Sequence, residues 1–133
     1  LHDALPIYPL FIDGNAEQLG KTIMSLLNNG MYAIAKKYGK KAYPAEIGLA
    51  LESKDGQAVI RLYDNGVGIE QSILDKIFDP FFTTKTTGEA AGIGLYLSKE
   101  IILNHHGQIA VRSEKDELTE FTITLPLWEE KSV

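Results

Sequence analysis

A chain of 133 residues suits one domain and hardly two. Apolar residues at 44% against 23% charged can build a core, which argues against disorder. The net charge of −5 gives no basic footprint for nucleic acid, and the absence of cysteine excludes disulfides, thiolate metal sites and cysteine nucleophiles. No apolar run approaches the roughly 18 residues of a membrane span, so direct membrane insertion is not expected.

The chain begins at Leu1 without a methionine and is expected to be a fragment of a longer protein. Residues 1–7 lack the basic start and long apolar stretch of a signal peptide. They are expected to be a leader or linker remnant, or a non-native junction, ahead of a domain over 8–133. Ile7 to Ile12 reads as a short first strand, weakened by Pro9. Asp13-Gly14-Asn15 is a turn whose Asp13 or Asn15 can cap a helix. That helix runs from Ala16 to about Tyr38, with Leu19, Ile23, Leu26, Leu27 and Ile34 three or four apart and Gly39 as its stop. Lys36, Lys37, Lys40 and Lys41 suit the negative end of the helix dipole, or a partner contact.

Glu46 to Glu52 and Gln57 to Asp64 read as strands joined by Ser53-Lys54-Asp55-Gly56. A glycine-rich loop and a short helix around Gln71 to Ile77 follow. Residues 79–92, with Pro80, Gly88, Gly92 and four threonines, read as a long irregular loop of the functional or disordered kind. A second long helix spans Ile93 to Asn104 and stops at His105-His106-Gly107. Gln108 to Ser113 and Thr119 to Leu127 form a closing hairpin, in which Phe121, Ile123, Leu125 and Leu127 alternate with polar residues and Pro126. The element order predicts a two-layer α/β sandwich, its mostly antiparallel, mixed sheet covered by helices on one face.

Three segments carry candidate chemistry. Asp64 shares a strand face with Ile60 and Leu62, so its carboxylate continues the buried side and must find donors. The glycines of Asn65-Gly66-Val67-Gly68-Ile69 let backbone approach a ligand closely. Together they can read an amino group on a flat heterocycle; alone they fit a strand-ending Asp-Asn-Gly turn equally well. On the first helix Thr22, Ser25 and Asn29 form a polar stripe, and the Asn29 amide oxygen suits Mg²⁺ or a structural backbone bond. Gly92-Ile93-Gly94-Leu95 opens the second long helix, where free N–H groups and the dipole favour an anion. It is neither a Rossmann fingerprint nor a Walker loop. Thr83-Thr84-Lys85-Thr86-Thr87 offers a lysine and hydroxyls for a mobile lid, or an ordinary exposed loop.

In combination these segments resemble the signature boxes of sensor histidine kinases. Asn29 sits in the N box and Asp64 to Ile69 form the first glycine box. Phe78-Asp79-Pro80-Phe81-Phe82-Thr83-Thr84-Lys85 resembles the F box, and Gly92 to Leu95 the second glycine box. The resemblance covers roughly residues 8 to 127. It implies the Bergerat ATP-binding fold shared with type II topoisomerases, heat-shock chaperones and mismatch-repair ATPases, with an ATP lid. It further implies ATP and Mg²⁺ as cofactors and phosphoryl transfer to a histidine on a separate dimerisation domain, in the cytoplasm, ahead of a response regulator. Residue by residue, it implies that Asn29 helps coordinate Mg²⁺ and that Asp64 accepts from the adenine amino group. Gly66 and Gly68 would shape the pocket floor, Phe81 and Phe82 anchor the lid, and Lys85 lie near the phosphates. Gly92 and Gly94 would donate backbone N–H groups to phosphate beside Leu95.

Three positions depart from the family pattern. Ser25 stands where a second asparagine is common, Ala90 where the second glycine box often opens with glycine, and Leu118-Thr119 where Gly-Thr is common. Topoisomerase-type ATPases carry a water-activating glutamate at the position of Ser25, which argues against hydrolysis as the main task. Serine kinases sharing the fold lack this style of F box. A nucleotide-sensing module without transfer is the remaining alternative. Nothing resembles a phosphoacceptor helix, and His105 and His106 are expected to have a structural or surface role.

Overall fold

The helix predicted over 16–38 is present as α1 (Ala16–Tyr38), with Asn15 as its cap: the side chain accepts from the Gln18 N–H at 2.9 Å. Such a cap contributes roughly 1 kcal/mol. Gly39 ends the helix at φ 61°, and its N–H returns to the Ala35 carbonyl at 2.8 Å. The computed structural model describes residues 9–41, 44–82 and 94–129.

Beyond α1 come β1 (Ile47–Lys54), β2 (Gln57–Asp64), α2 (Gln71–Leu74), α3 (Gly94–Asn104), β3 (Gln108–Glu114) and β4 (Leu118–Pro126). The strands form one sheet in the order β1-β2-β4-β3, and every described pairing is antiparallel. Asp55 and Gly56, both at positive φ, close the β1–β2 hairpin as a two-residue turn whose twist matches the strands. Alternation in β4 holds: Phe121, Ile123 and Leu125 are buried while Thr122 and Thr124 are half-buried on the other face. With Leu62 they meet Leu26 of α1 and Ile102 of α3 in one core. Full burial of side chains of this size stabilises by about 1.5–3 kcal/mol each.

Two expectations need correction. Residues 9–12 are not a strand: Pro9 brings no N–H, and the Phe11 carbonyl accepts one backbone bond, from Trp128 at 2.6 Å. Residues 7 and 8 lie outside the described residues. The helix expected to reach Ile77 stops at Leu74, because Lys76 and Asp79 bond three residues back, to Ile73 and Lys76.

The structural role expected of the histidines has a geometry. His105 Nδ1 lies 2.7 Å from the Ile101 carbonyl, which can only accept, so Nδ1 carries the proton. Nε2 then accepts from the Asn15 N–H at 3.0 Å, tying the start of α1 to the end of α3. His106 takes φ 62° in the turn that ends α3. Gly107 follows because a Cβ there would lie 2.3 Å from the Thr124 carbonyl oxygen. At the sheet's other edge, Leu49 and Leu51 of β1 point to the core side, opposite Leu62 and Ile60, yet each is 60% exposed.

Candidate functional site

A cavity of about 450 Å³ opens between α1, the end of β2, α2 and the first turn of α3. Asp64 forms its polar end. The strand period places this carboxylate on the core face beside Leu62, and only 5% of the residue is exposed. Oδ1 accepts from the Gly66 N–H at 2.9 Å. Burial pushes the carboxyl group's pKa above its ordinary value, and the Gly66 bond pulls it part of the way back. Ile69, Ile73, Ile77 and Phe121 make apolar walls. The slot is therefore largely apolar with a buried carboxylate at its end, which suits a heterocycle carrying an amino group.

The glycine loop after β2 is stitched in place from both sides. The Val67 N–H donates to the Ala33 carbonyl of α1 at 3.2 Å, and the Asp116 N–H donates to the Val67 carbonyl at 2.5 Å. Gly68 sits at φ 69°, and a Cβ would lie 2.1 Å from the Glu114 carbonyl oxygen. Gly66 is buried, and its Cβ would lie 2.5 Å from the Ala33 carbonyl carbon. Both glycines are thus required by close backbone approach. Asn65 fastens the same loop outward: its side chain accepts from the Glu46 N–H at 2.8 Å and donates to the Pro44 carbonyl at 2.7 Å.

The α1 wall presents Asn29, Tyr32 and Lys36, spaced i, i+3 and i+7 on one helical face. Ser25, one turn before Asn29, is not among the lining residues. At the mouth Lys115 pairs with Glu70 at 2.8 Å, and each holds the other in its charged form: the ammonium pKa rises and the carboxyl pKa falls. Lys37 donates to the Asp116 carbonyl, bracing the β3–β4 turn against α1.

Of the residues expected to form the site, Asn29, Asp64, Gly68, Phe82 and Leu95 line this cavity, and Gly66 lies directly beneath Asp64. Gly94 begins α3 next to Leu95. Phe81 does not line the cavity: at φ 65° it turns outward and is 88% exposed, while Phe82 turns in. Lys85, Gly92, Ala90 and the expected lid lie outside the described residues. Sequence reasoning missed Thr119 and Ser113. Thr119 lines the cavity opposite Asp64 in the β2–β4 register, and it lies two residues before Phe121 on a face already recognised as buried.

The fold is that of an ATPase-type domain, and comparison with known proteins gives the family. Residues 14–129 match the family described as histidine kinase-, DNA gyrase B- and HSP90-like ATPase. The chain belongs to that family. It is 34% identical over 119 residues to sporulation kinase D of Bacillus subtilis (strain 168), covering 90% of this chain and 22% of that protein. It is 39% identical over 116 residues to the signal transduction histidine-protein kinase AtoS of Escherichia coli (strain K12), covering 87% of this chain and 18% of that protein. The chain thus spans about a fifth of these relatives. Among solved structures, the catalytic domain of the histidine kinase ThkA superposes with a TM-score of 0.69 at 26% identity, covering 86% of this chain and 70% of that one. The mycobacterial sensor histidine kinase MprB shares the fold, with a TM-score of 0.73 at 23% identity over 87% of this chain and 76% of that one.

Proposed function

We propose that this chain binds Mg-ATP and donates the γ-phosphate to a histidine on a separate dimerisation domain of its parent protein, as the catalytic part of a two-component sensor kinase. The observation that carries it is the buried Asp64 acceptor at the end of an apolar slot, with Asn29 and the first turn of α3 on the slot's other walls. Asp64 accepts from the adenine amino group. Ile69, Ile73 and Ile77 hold the ring, and Asn29 faces the triphosphate. Among the described residues no group of three His, Cys, Asp or Glu side chains could hold a metal ion. An ion that arrives on the phosphates needs few protein oxygens, and the Asn29 amide lining the cavity would supply one hard donor to Mg²⁺. Gly92 and Gly94 donate to phosphate from the helix start, with Lys85 as the counter-charge. Phosphoryl transfer needs positioning and charge neutralisation more than covalent work by the protein, and the nucleophile is the partner's own imidazole.

No described helix is long and apolar enough to cross a membrane. We place the domain in the cytoplasm, where ATP and a response regulator are available. Calorimetry should show ATP binding in the presence of Mg²⁺, weakened about a hundredfold or more in Asp64→Ala, since a charge-assisted buried hydrogen bond and its burial geometry are both lost. Radiolabelled ATP should then label the histidine hairpin of the parent protein supplied in trans, and not this chain. Undiminished binding in Asp64→Ala removes the base assignment. Binding without transfer leaves a nucleotide-sensing module.

A further inference from the structure

The two outer strands of the sheet are β1 and β3, and they are finished differently. On β3 the core-side residues Ile109 and Val111 pack against the core. On β1 the core-side residues Ile47, Leu49 and Leu51 are not part of it and are 42%, 60% and 60% exposed. This strand is eight residues long, has no proline, and carries no charge at any core-side position. Proline, bulges and inward-pointing charges are the usual guards of an open edge against pairing. The backbone parity of β1 is set at both ends. The two-residue turn Asp55-Gly56 makes Lys54 and Gln57 a hydrogen-bonded pair. At the far end the Asn65 N–H donates to the Glu46 carbonyl at 3.1 Å. Even-numbered residues therefore direct their N–H and C=O groups to β2. Ile47, Leu49, Leu51 and Ser53 direct theirs to the open edge.

We propose that β1 is the docking edge for a second copy of this chain, which adds its own β1 antiparallel across a two-fold axis at Ala50 and joins the two sheets into one. Only registers that oppose outward-facing residues form hydrogen bonds. With the axis at Ala50, Leu49 of one copy pairs with Leu51 of the other, and Ile47 pairs with Ser53. The axis stands perpendicular to the sheet, so the leucines of both copies share one face and cover each other. On the other face Glu46 meets Lys54 of the second copy, twice by symmetry. Charge selects this register. Centred on Leu49 instead, Glu46 would face Glu52 of the second copy. Centred on Leu51, Glu46 would face Gly56 and Lys54 would face Gly48. In the proposed register Glu52 keeps Arg61 of its own β2 at 2.7 Å and faces only Gly48 across the edge. Exposed ion pairs add little strength, but like charges set directly opposite are destabilising, and that difference fixes the alignment.

The chain has no cysteine, so single cysteines report distance cleanly. Ala50→Cys faces its own copy in a non-hydrogen-bonded pair, with Cα atoms about 4.5 Å apart and within disulfide reach. Glu52→Cys lies on the same face but roughly 14 Å from its copy, four residues farther along the strand. Mild oxidation should link the Ala50→Cys chain about tenfold faster or more than the Glu52→Cys chain. Sedimentation equilibrium should show a weak dimer with a dissociation constant on the order of 100 µM, as suits an interface at the small end of the range. Lys54→Glu should raise that constant about tenfold, and adding Glu46→Lys to it should restore the original value. The four substituted side chains are exposed, and thermal melts matching wild type check that the fold is kept. A chain that stays monomeric about tenfold above the expected constant overturns the proposal. So does equal linkage at the two cysteine positions. A dimer indifferent to Lys54→Glu would place the contact on another surface and overturn it as well.

Discussion

Where β2 and β4 meet the cavity, Asp64 and Thr119, with Ser113 of β3 behind Thr119, are each at most 5% exposed, and backbone groups engage Asp64 and Ser113. The opposite wall, from α1, offers Asn29 and Tyr32 half-buried and Lys36 exposed. One wall is made of short side chains held by backbone, the other of longer ones reaching from a helix. Burial explains the division. A recognition edge must keep its acceptors in a fixed direction, and short side chains locked to backbone lose little entropy in doing so. Under the proposed function the α1 wall meets phosphates and an incoming acceptor and must adjust, which longer side chains on a helix face can do.

If this contrast is right, the largest effects come from breaking the fixed wall. Gly68→Ala should be the most severe single change. Its Cβ would meet the Glu114 carbonyl oxygen at 2.1 Å, and the residue sits at φ 69° where alanine is strained. The loop and the β3–β4 turn cannot both stay. Stability should fall by roughly 2–4 kcal/mol, and ATP affinity should be lost with it. Thermal melts and calorimetry check both. A variant that melts like wild type would mean that the loop has room the structure does not show.

On the adjustable wall the same kind of change should separate functions. Under the proposed function, Asn29→Ala removes an amide that serves the triphosphate rather than the base. Transfer to the histidine hairpin should fall about a hundredfold, as for loss of one transition-state contact, while adenosine affinity changes less than threefold. Equal losses in adenosine binding and transfer would place Asn29 at the base instead, and the two walls would not differ in task.

This division also accounts for how much was legible in the sequence. Asp64, Gly66 and Gly68 announced themselves because a carboxylate on an apolar strand face and clustered glycines both break a local pattern. Asn29 was legible as part of a polar stripe on an apolar helix. Ser113 and Thr119 were not, since serine and threonine at a strand end are ordinary, and their partnership exists only through the β3–β4 register. The first strand was overestimated because a short apolar run such as 7–12 carries no information about whether a neighbouring strand is there to pair. Phe81 and Phe82 illustrate the opposite problem. Two adjacent aromatics read alike, and a left-handed backbone at Phe81, invisible in composition, sends one out and one in.

The smallest expected effect concerns pH, and it isolates Asp64 from every other carboxylate. Its pKa is raised in the folded chain, chiefly by burial, whereas in the unfolded chain it takes the ordinary value. Above the folded value the group is ionised in both states, and the folded state alone bears the desolvation cost. Below the unfolded value it is neutral in both, and that cost is gone. Between the two the folded chain holds a proton that the unfolded chain has released, so stability rises as pH falls through this window. Nucleotide binding has the opposite sign, because the amino group of the base is best received by the ionised carboxylate. ATP affinity should therefore weaken over the range in which the free chain gains stability. Asp64→Asn removes the titration at nearly constant shape, and should raise the neutral-pH stability by roughly 1 kcal/mol while weakening ATP binding. The difference in melting temperature between wild type and Asp64→Asn, followed from neutral to acid pH, cancels the contributions of the other carboxylates. It should shrink as pH falls. A difference independent of pH would mean that Asp64 is solvated in the free chain, and that the strand-end wall is less closed than its burial implies.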